Sequence, residues 1–242
     1  MKIDVAEQFE HLPRAPIVEA VIDIRARAEM NWEEQLVSEM LKPKLPGYPR
    51  VSPQSEFRQE VTFEVGQQPK SEQQARRWKG LRFHSEDGRH IAQFNRDGFV
   101  FSRLPPYEKW EHLRDEALRL WRIHADLARP TEVLRIGLRF VNSIVLPPHE
   151  VRLEDYLEPN PELPRGLDLP FLGFLHSDML AVPGYPYAIN VVRTGPPQEL
   201  RSRAIGLILD VDVFTTQPSE LREGLLEARL AEMRSQPSHS LR

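Results

Sequence analysis

Seven side chains in this sequence have the types and spacing from which a polar site can be built on strands. Glu19, Asp23 and Arg25 lie in one run, Arg135 and Arg139 in a second, and Asp210 and Asp212 in a third. Neighbouring side chains of a strand point to opposite faces, so residues an even number of positions apart share one. Every gap within these three runs is even. Acids and arginines gathered on one face offer three chemistries. They can neutralise one another, grip a phosphorylated ligand through planar guanidinium forks, or present carboxylates to a divalent cation. The first is a solvated, salt-bridged surface in which each exposed pair contributes about 0–1 kcal/mol. The other two are a ligand groove and a metal-dependent site, and the residues alone leave the choice open. They name no cofactor, no metal ligand and no catalytic residue.

Other constellations carry less. The chain has no Walker loop, no dinucleotide glycine fingerprint, no nucleophile elbow and no His-Glu-x-x-His. His84 and His90 are close in sequence, but a hairpin between them is expected to put them on opposite faces, where they cannot chelate together. Asn142 falls on the apolar side of its strand and reads as a buried, hydrogen-bonded asparagine. Ser102, Arg103 and Tyr107 stand at a strand-to-helix junction, where loops often carry function. Capping and packing are the plainer account of them.

The elements that must position these residues follow from periodicity. Gly80 to Ala128 read as two strands, a hairpin and a long helix. Asp87-Gly88 suits a two-residue turn with positive φ at both positions, which sets Glu86 opposite Arg89 and Ser85 opposite His90. Asp97-Gly98 either divides Ile91–Phe94 from Phe99–Leu104 or marks a bulge in one bent strand. Phe99 and Phe101 share a face, with Val100 and Ser102 on the other. Pro105-Pro106 ends the strand. Trp110, Leu113, Ala117, Leu120, Trp121, His124 and Leu127 then recur at helical spacing opposite a charged face, and Arg129-Pro130 closes the helix.

Upstream, Pro16 to Arg27 form a strand with Val18, Ala20, Ile22 and Ile24 inward. Asn31 with Glu34 caps a helix through Leu41 that carries Trp32, Leu36, Val37 and Met40. Lys42 to Ser55 read as loop, Phe57 to Val65 as a strand, and Gly66 to Arg77 as an exposed connection. Downstream, a long strand turns Leu134, Ile136, Leu138, Phe140 and Ile144 inward. Leu153–Leu157 make a helical turn and Pro159–Pro170 a loop. Phe171–Val182, Tyr187–Arg193 and Ala204–Thr215 are three more strands. A last helix begins near Thr216, with Leu221, Leu225, Ala228 and Met233 on its apolar side.

Composition narrows the setting. The chain has 242 residues, enough for one large core, and no cysteine, which removes disulfides, thiolate metal sites and cysteine nucleophiles. It shows no leader-like apolar segment and no run of the ~20 apolar residues that span a membrane, so a cytoplasmic protein is expected. The net charge is -4 with both signs interspersed, which disfavours general nucleic-acid binding. Arginine outnumbers lysine 26 to 6, stocking the surface with planar forks.

The pattern strand, helix, three strands, helix occurs twice. We therefore expect an α+β fold. It is a single domain over 1–242, made of two pseudo-repeated halves, 16–129 and 131–234, with an arm at 1–15 and a tail at 235–242. One curved, mainly antiparallel sheet would carry long helices on one face, an arrangement that resembles TATA-binding-protein-like or helix-grip topology. Two separate ferredoxin-like halves are the alternative. Triphosphate-processing tunnel enzymes also line such a sheet with acids and bases, but Glu19-Ala20-Val21-Ile22-Asp23-Ile24-Arg25 departs from the spacing of their acid-acid-base strand.

Three blocks resemble the signature of one prokaryotic family known for its sporadic distribution. They are APIVEAVIDIR at Ala15–Arg25, RDGFVFSRLPPYEKWEHLRDEALRLW at Arg96–Trp121 and LRIGLRFVNSI at Leu134–Ile144. A looser echo is LILDVDVF at Leu207–Phe214. The resemblance implies a common fold and brings no activity, substrate or catalytic residue. It also implies a mobile-element, defence or toxin–antitoxin setting. The functional expectation is a binding or interaction module without catalysis, facing a protein partner or a second copy of itself. The alternative is a phosphate-ligand or divalent-metal-dependent enzyme on the polar sheet face.

Overall fold

A ten-stranded antiparallel sheet built outward from two long neighbouring strands forms the frame of the molecule. The computed structural model describes residues 15–28, 32–56, 59–62, 70–73, 77–146, 173–195 and 205–235. The two long strands are β1 (Ile17–Ala28) and β8 (Pro130–Leu146). Beyond β1 lie β7 (Gly98–Arg103), β6 (His90–Asn95), β5 (Arg77–His84) and the edge strand β2 (Arg50–Glu56). Beyond β8 lie β11 (Ile205–Thr215), β10 (Ala188–Gly195) and the edge strand β9 (Phe174–Ala181), while the short β12 (Ser219–Glu220) pairs with the start of β8. A separate two-stranded ribbon joins β3 (Gln59–Thr62) to β4 (Lys70–Gln73). The helices are α1 (Glu34–Leu41), α2 (Trp110–Ala128) and α3 (Leu225–Arg234). The fold is thus α+β with a mainly antiparallel sheet. Among the described residues, no helix is long and apolar enough to cross a membrane.

The core lies on one face. Ala20, Ile22 and Ile24 of β1, Phe99 and Phe101 of β7, and Ile136 and Leu138 of β8 are all buried there. The helix α2 lays Leu113, Ala117, Leu120, Trp121, His124 and Leu127 against them, the stripe expected from spacing. Trp121 meets Phe99 edge-on at 6.5 Å between ring centroids. Arg129 takes the left-handed conformation just past α2, and its N–H donates to the Ala125 carbonyl, which turns the chain into β8. Gly98 has a positive φ, and a Cβ there would collide with the Ile24 carbonyl of β1, so the close approach of β7 to β1 requires glycine.

Several local expectations fail for identifiable reasons. Asp87 does not take positive φ; only Gly88 does, and its N–H closes the turn on the Ser85 carbonyl at 3.0 Å. The expected pairing of Ser85 with His90 holds, with the Ser85 N–H donating to the His90 carbonyl. Asp97-Gly98 divides two strands, with Asn95 opposite Gly98. Lys42–Ser55 is not all loop, because β2 runs through it. Its Pro53 is tolerated since β2 is an edge strand, paired on one side only. The expected connection at Gly66–Arg77 contains β4, and the strand expected over Phe57–Val65 is described only as β3.

Leu36 and Met40 of α1 are exposed, while Val37, Leu41 and Trp32 are buried. The Asn31 cap lies outside the described residues. Val18 is exposed as well. In β8 the register slips between Arg135 and Val133, so Val133 rather than Leu134 joins the core, as a bulge demands. The last helix starts only at Leu225, after β12 and Gly224, and buries Leu226, Leu230 and Met233. The arm at 1–14, the turn at Leu153–Leu157, the loop at Pro159–Pro170 and the tail at 236–242 lie outside the described residues. The continuous pairing of β1 with β8 excludes two halves with unconnected sheets.

Candidate functional site

The face of the sheet opposite the helices carries the polar residues of β1, β8 and β11. Register decides who meets whom. Gly137 of β8 lies between Asp23 of β1 and Phe214 of β11. Arg139 lies between Val21 and Asp212, and Val141 between Glu19 and Asp210. Three strands therefore bring the three sequence runs onto one surface.

Arg135 organises the centre. Its side chain runs along its own strand over Gly137 and ends between two carboxylates. Nη1 donates to Asp23 Oδ2, and Nη2 donates to Asp212 Oδ2 at 2.7 Å. A Cβ on residue 137 would occupy the guanidinium's place, so glycine there is the gap through which the arginine reaches both neighbours. The Phe214 ring lies 5.0 Å from the guanidinium carbon and adds a cation–π contact. Arg139 is equally engaged: Nε and Nη2 donate to the two oxygens of Asp210 at 2.7 and 2.5 Å. Arg25 is looser, with Nε 3.8 Å from Asp23. Glu19 makes no side-chain bond to this group and acts on Arg139 only through its field.

Burial and charge pull against each other here. Burial pushes the carboxyls of Asp23 and Asp212 above the usual aspartate range, and the Arg135 guanidinium opposes that rise. The hydrogen bond from Arg139 to Asp210 holds that arginine more firmly protonated. One guanidinium serving two partly buried acids is a close-packed ion ladder, not a loose surface pair.

Beside the ladder is a cavity of about 310 Å³. Asp23, Arg25, Arg135, Arg139 and Asp212 line it, whereas Glu19 and Asp210 do not. Lys79, Asn95 and Asp97 complete its wall, from the start of β5 and the turn between β6 and β7. Sequence reasoning missed these three because two read as turn punctuation and Lys79 fell at the edge of an expected connection. Gly137 had a usable signal: a glycine between two arginines on the polar face of a long strand marks a close approach.

The remaining candidates fall into place. His84 and His90 lie on opposite faces, as the hairpin requires, since His84 pairs with Ile91 and Ser85 with His90. Asn142 is half-buried and donates to the Leu209 carbonyl at 3.1 Å. Ser102 is buried, and the Tyr107 hydroxyl is buried without a hydrogen-bond partner. Among the described residues, no group of three or more metal-capable side chains is assembled. No protein-family model, no curated protein and no solved structure matches the chain. The likeness of its sequence blocks to the sporadically distributed family therefore rests on those residues alone.

Proposed function

We propose that this protein is a non-enzymatic binding module whose ligand enters the cavity on the polar face of the central strands. One observation carries the reading. The arginines of the ladder are already neutralised by Asp23, Asp210 and Asp212, so they hold a rigid floor, while two other cations beside the cavity keep their charge available. Arg25 is 61% exposed with only a 3.8 Å contact to Asp23, and the Lys79 ammonium makes no hydrogen bond or ion pair among the described residues. Asp97 and Asn95 supply acceptors on the same wall. The ligand that suits this mixture is a small polar molecule carrying both an acidic and a hydrogen-bonding group. Glu19, Asp23, Arg25, Arg135, Arg139, Asp210 and Asp212 then divide into a supporting set and a contacting set, with Arg25 in the second and Asp23 at the border of both.

A second reading is favoured by the raised pKa of Asp23 and Asp212, since buried acids sharing a cation are a common catalytic arrangement. It makes the same cavity the centre of a phosphate-ligand or divalent-metal enzyme. A thermal-shift panel of nucleotides, sugar phosphates and amino acids, with and without Mg²⁺ or Mn²⁺, separates the two. The binding reading expects a metal-independent rise in melting temperature that Lys79→Ala and Arg25→Ala abolish. A shift that needs the metal and vanishes in Asp212→Ala favours the enzyme. A flat panel removes both.

The finer architecture belongs to the same proposal. We read residues 16–129 and 131–234 as two repeats in a helix-grip arrangement. Support comes from β1 and β8 lying side by side, each flanked on its own side by the later strands of its half and followed by a closing helix.

A further inference from the structure

On the helix side of the sheet, at the junction of β7 with α2, a second cavity of about 410 Å³ opens beneath the Asp87-Gly88 hairpin. Arg103 ends β7 at its floor and is 9% exposed. A buried guanidinium is costly unless a carboxylate stands against it. Arg103 has one carboxylate partner among the described residues, Glu108, and that contact is long and half exposed. Nη1 donates to His90 Nε2 at 2.9 Å, and Nη2 meets Glu108 only at 3.4 Å, where Glu108 itself is 52% exposed.

The imidazole cannot supply the missing charge. A guanidinium only donates, and its Nη1 lies 2.9 Å from Nε2 and 3.5 Å from Nδ1 of His90, so the neutral ring is the form that suits it. Burial and the adjacent Arg103 both hold the His90 pKa below its ordinary value. His90 is further fixed by stacking on Phe101 at 5.7 Å. The other acids around the cavity are already occupied. Asp87 accepts from the Ser85 hydroxyl at 2.6 Å and from the Arg89 N–H at 3.0 Å. Glu116 accepts from the Arg119 guanidinium twice at 2.7 Å and from the Tyr48 hydroxyl at 2.7 Å. Arg89 and Lys109 add donors on the rim, while His112 Nδ1 is engaged by Glu108 at 3.2 Å.

We infer that this cavity is an anion site, separate from the polar face, that takes the phosphoryl group of a small phosphorylated molecule with Arg103 as its anchor. A phosphoryl group accepts several charge-assisted hydrogen bonds at once, and the planar fork of arginine matches its oxygens. It supplies a closer counter-charge than Glu108, which meets Arg103 at 3.4 Å and is half exposed. The volume leaves room beyond the phosphate for the rest of the molecule. The rim cations add to the attraction, and the exposed Glu108 carboxylate opposes it.

Calorimetric titration with inorganic phosphate at constant ionic strength tests this. The wild-type chain should bind phosphate saturably, Lys79→Ala should bind it equally well, and Arg103→Gln should lose at least tenfold in affinity. No saturable binding, binding that survives Arg103→Gln, or binding lost in Lys79→Ala would overturn the site. Should Arg103→Gln fail to fold, Glu108→Gln at its half-exposed position decides. Removing the competing carboxylate should tighten phosphate binding several-fold, and unchanged or weaker binding would overturn the site. The Lys79→Ala arm keeps this result distinct from the reading of the polar face.

Discussion

Arg135 and Arg103 are the same side chain buried in two different ways. Arg135 is 17% exposed and shared by Asp23 and Asp212, with a phenyl ring beneath it. The Arg103 side chain is 10% exposed and faces a neutral imidazole and a carboxylate at 3.4 Å. The more deeply buried cation is therefore the less compensated one. The difference teaches that burial of a charge says little until its partners are counted. A charge whose partners lie within the chain belongs to the architecture, and one whose partners fall short points outward to a ligand.

The largest test of this contrast compares methionine at the two positions. Arg135→Met strands two partly buried acids, and the expected loss is about 3–5 kcal/mol in urea unfolding at neutral pH. Arg103→Met, measured without phosphate, leaves only a neutral histidine and an exposed glutamate, so the loss should stay within about 1 kcal/mol. Equal losses would erase the distinction.

Next in size is the response to acid. His124 of α2 donates from Nε2 to the Asn95 carbonyl at 3.0 Å, and burial lowers its pKa to about 4. The unfolded chain takes up this proton near the ordinary histidine value, while the folded chain refuses it until about 4. Its contribution is therefore complete above the unfolded pKa and is lost as pH falls toward 4, amounting to about 3 kcal/mol. Asp23 and Asp212 act in the opposite sense. Their pKa is raised in the folded state, so the fold gains from protonation as pH falls between the unfolded and folded values, and loses that gain as pH rises. Removing the histidine with His124→Gln should flatten the acid limb of the stability profile. An unchanged profile would place the acid sensitivity in groups other than His124, since the ladder acids act in the opposite sense.

Gly137→Ala should cost about 1–3 kcal/mol, because the added methyl displaces the Arg135 guanidinium from its track. A neutral result would show that the arginine does not depend on that gap. Glu108→Gln has the smallest expected effect, within about 0.5 kcal/mol of the parent by the same unfolding measurement, since Glu108 is half exposed and its contacts to Arg103 and His112 are long. A larger loss would make Glu108 a true structural partner of Arg103 and weaken the contrast between the two regions.

Much of this arrangement was legible beforehand, and the failures have a pattern. The α2 stripe and, apart from Val18, the inward set of β1 survived because each reflects one periodicity repeated over many residues. The apolar sides of α1 and α3 held at Val37 and Met233 but failed at Leu36, Met40 and Ala228, because a short helix offers too few turns to fix its phase. Leu134 was misjudged because a bulge inserts one residue without altering composition. Among the polar residues, the even spacing of Glu19, Asp23 and Arg25, and of Asp210 and Asp212, correctly put each run on one face.

By itself, the sequence determined the alternation of strands, the long helix between Pro105-Pro106 and Pro130, and which residue types each strand turns away from the core. Those are properties of local periodicity, set by backbone geometry within a few residues. Only the tertiary structure decided that β1, β8 and β11 are neighbours, that Arg135 crosses Gly137 to reach two acids, and that Arg103 reaches none closely. Partnership between charges is a matter of a few ångströms across strands far apart in the chain, and no local pattern encodes that distance.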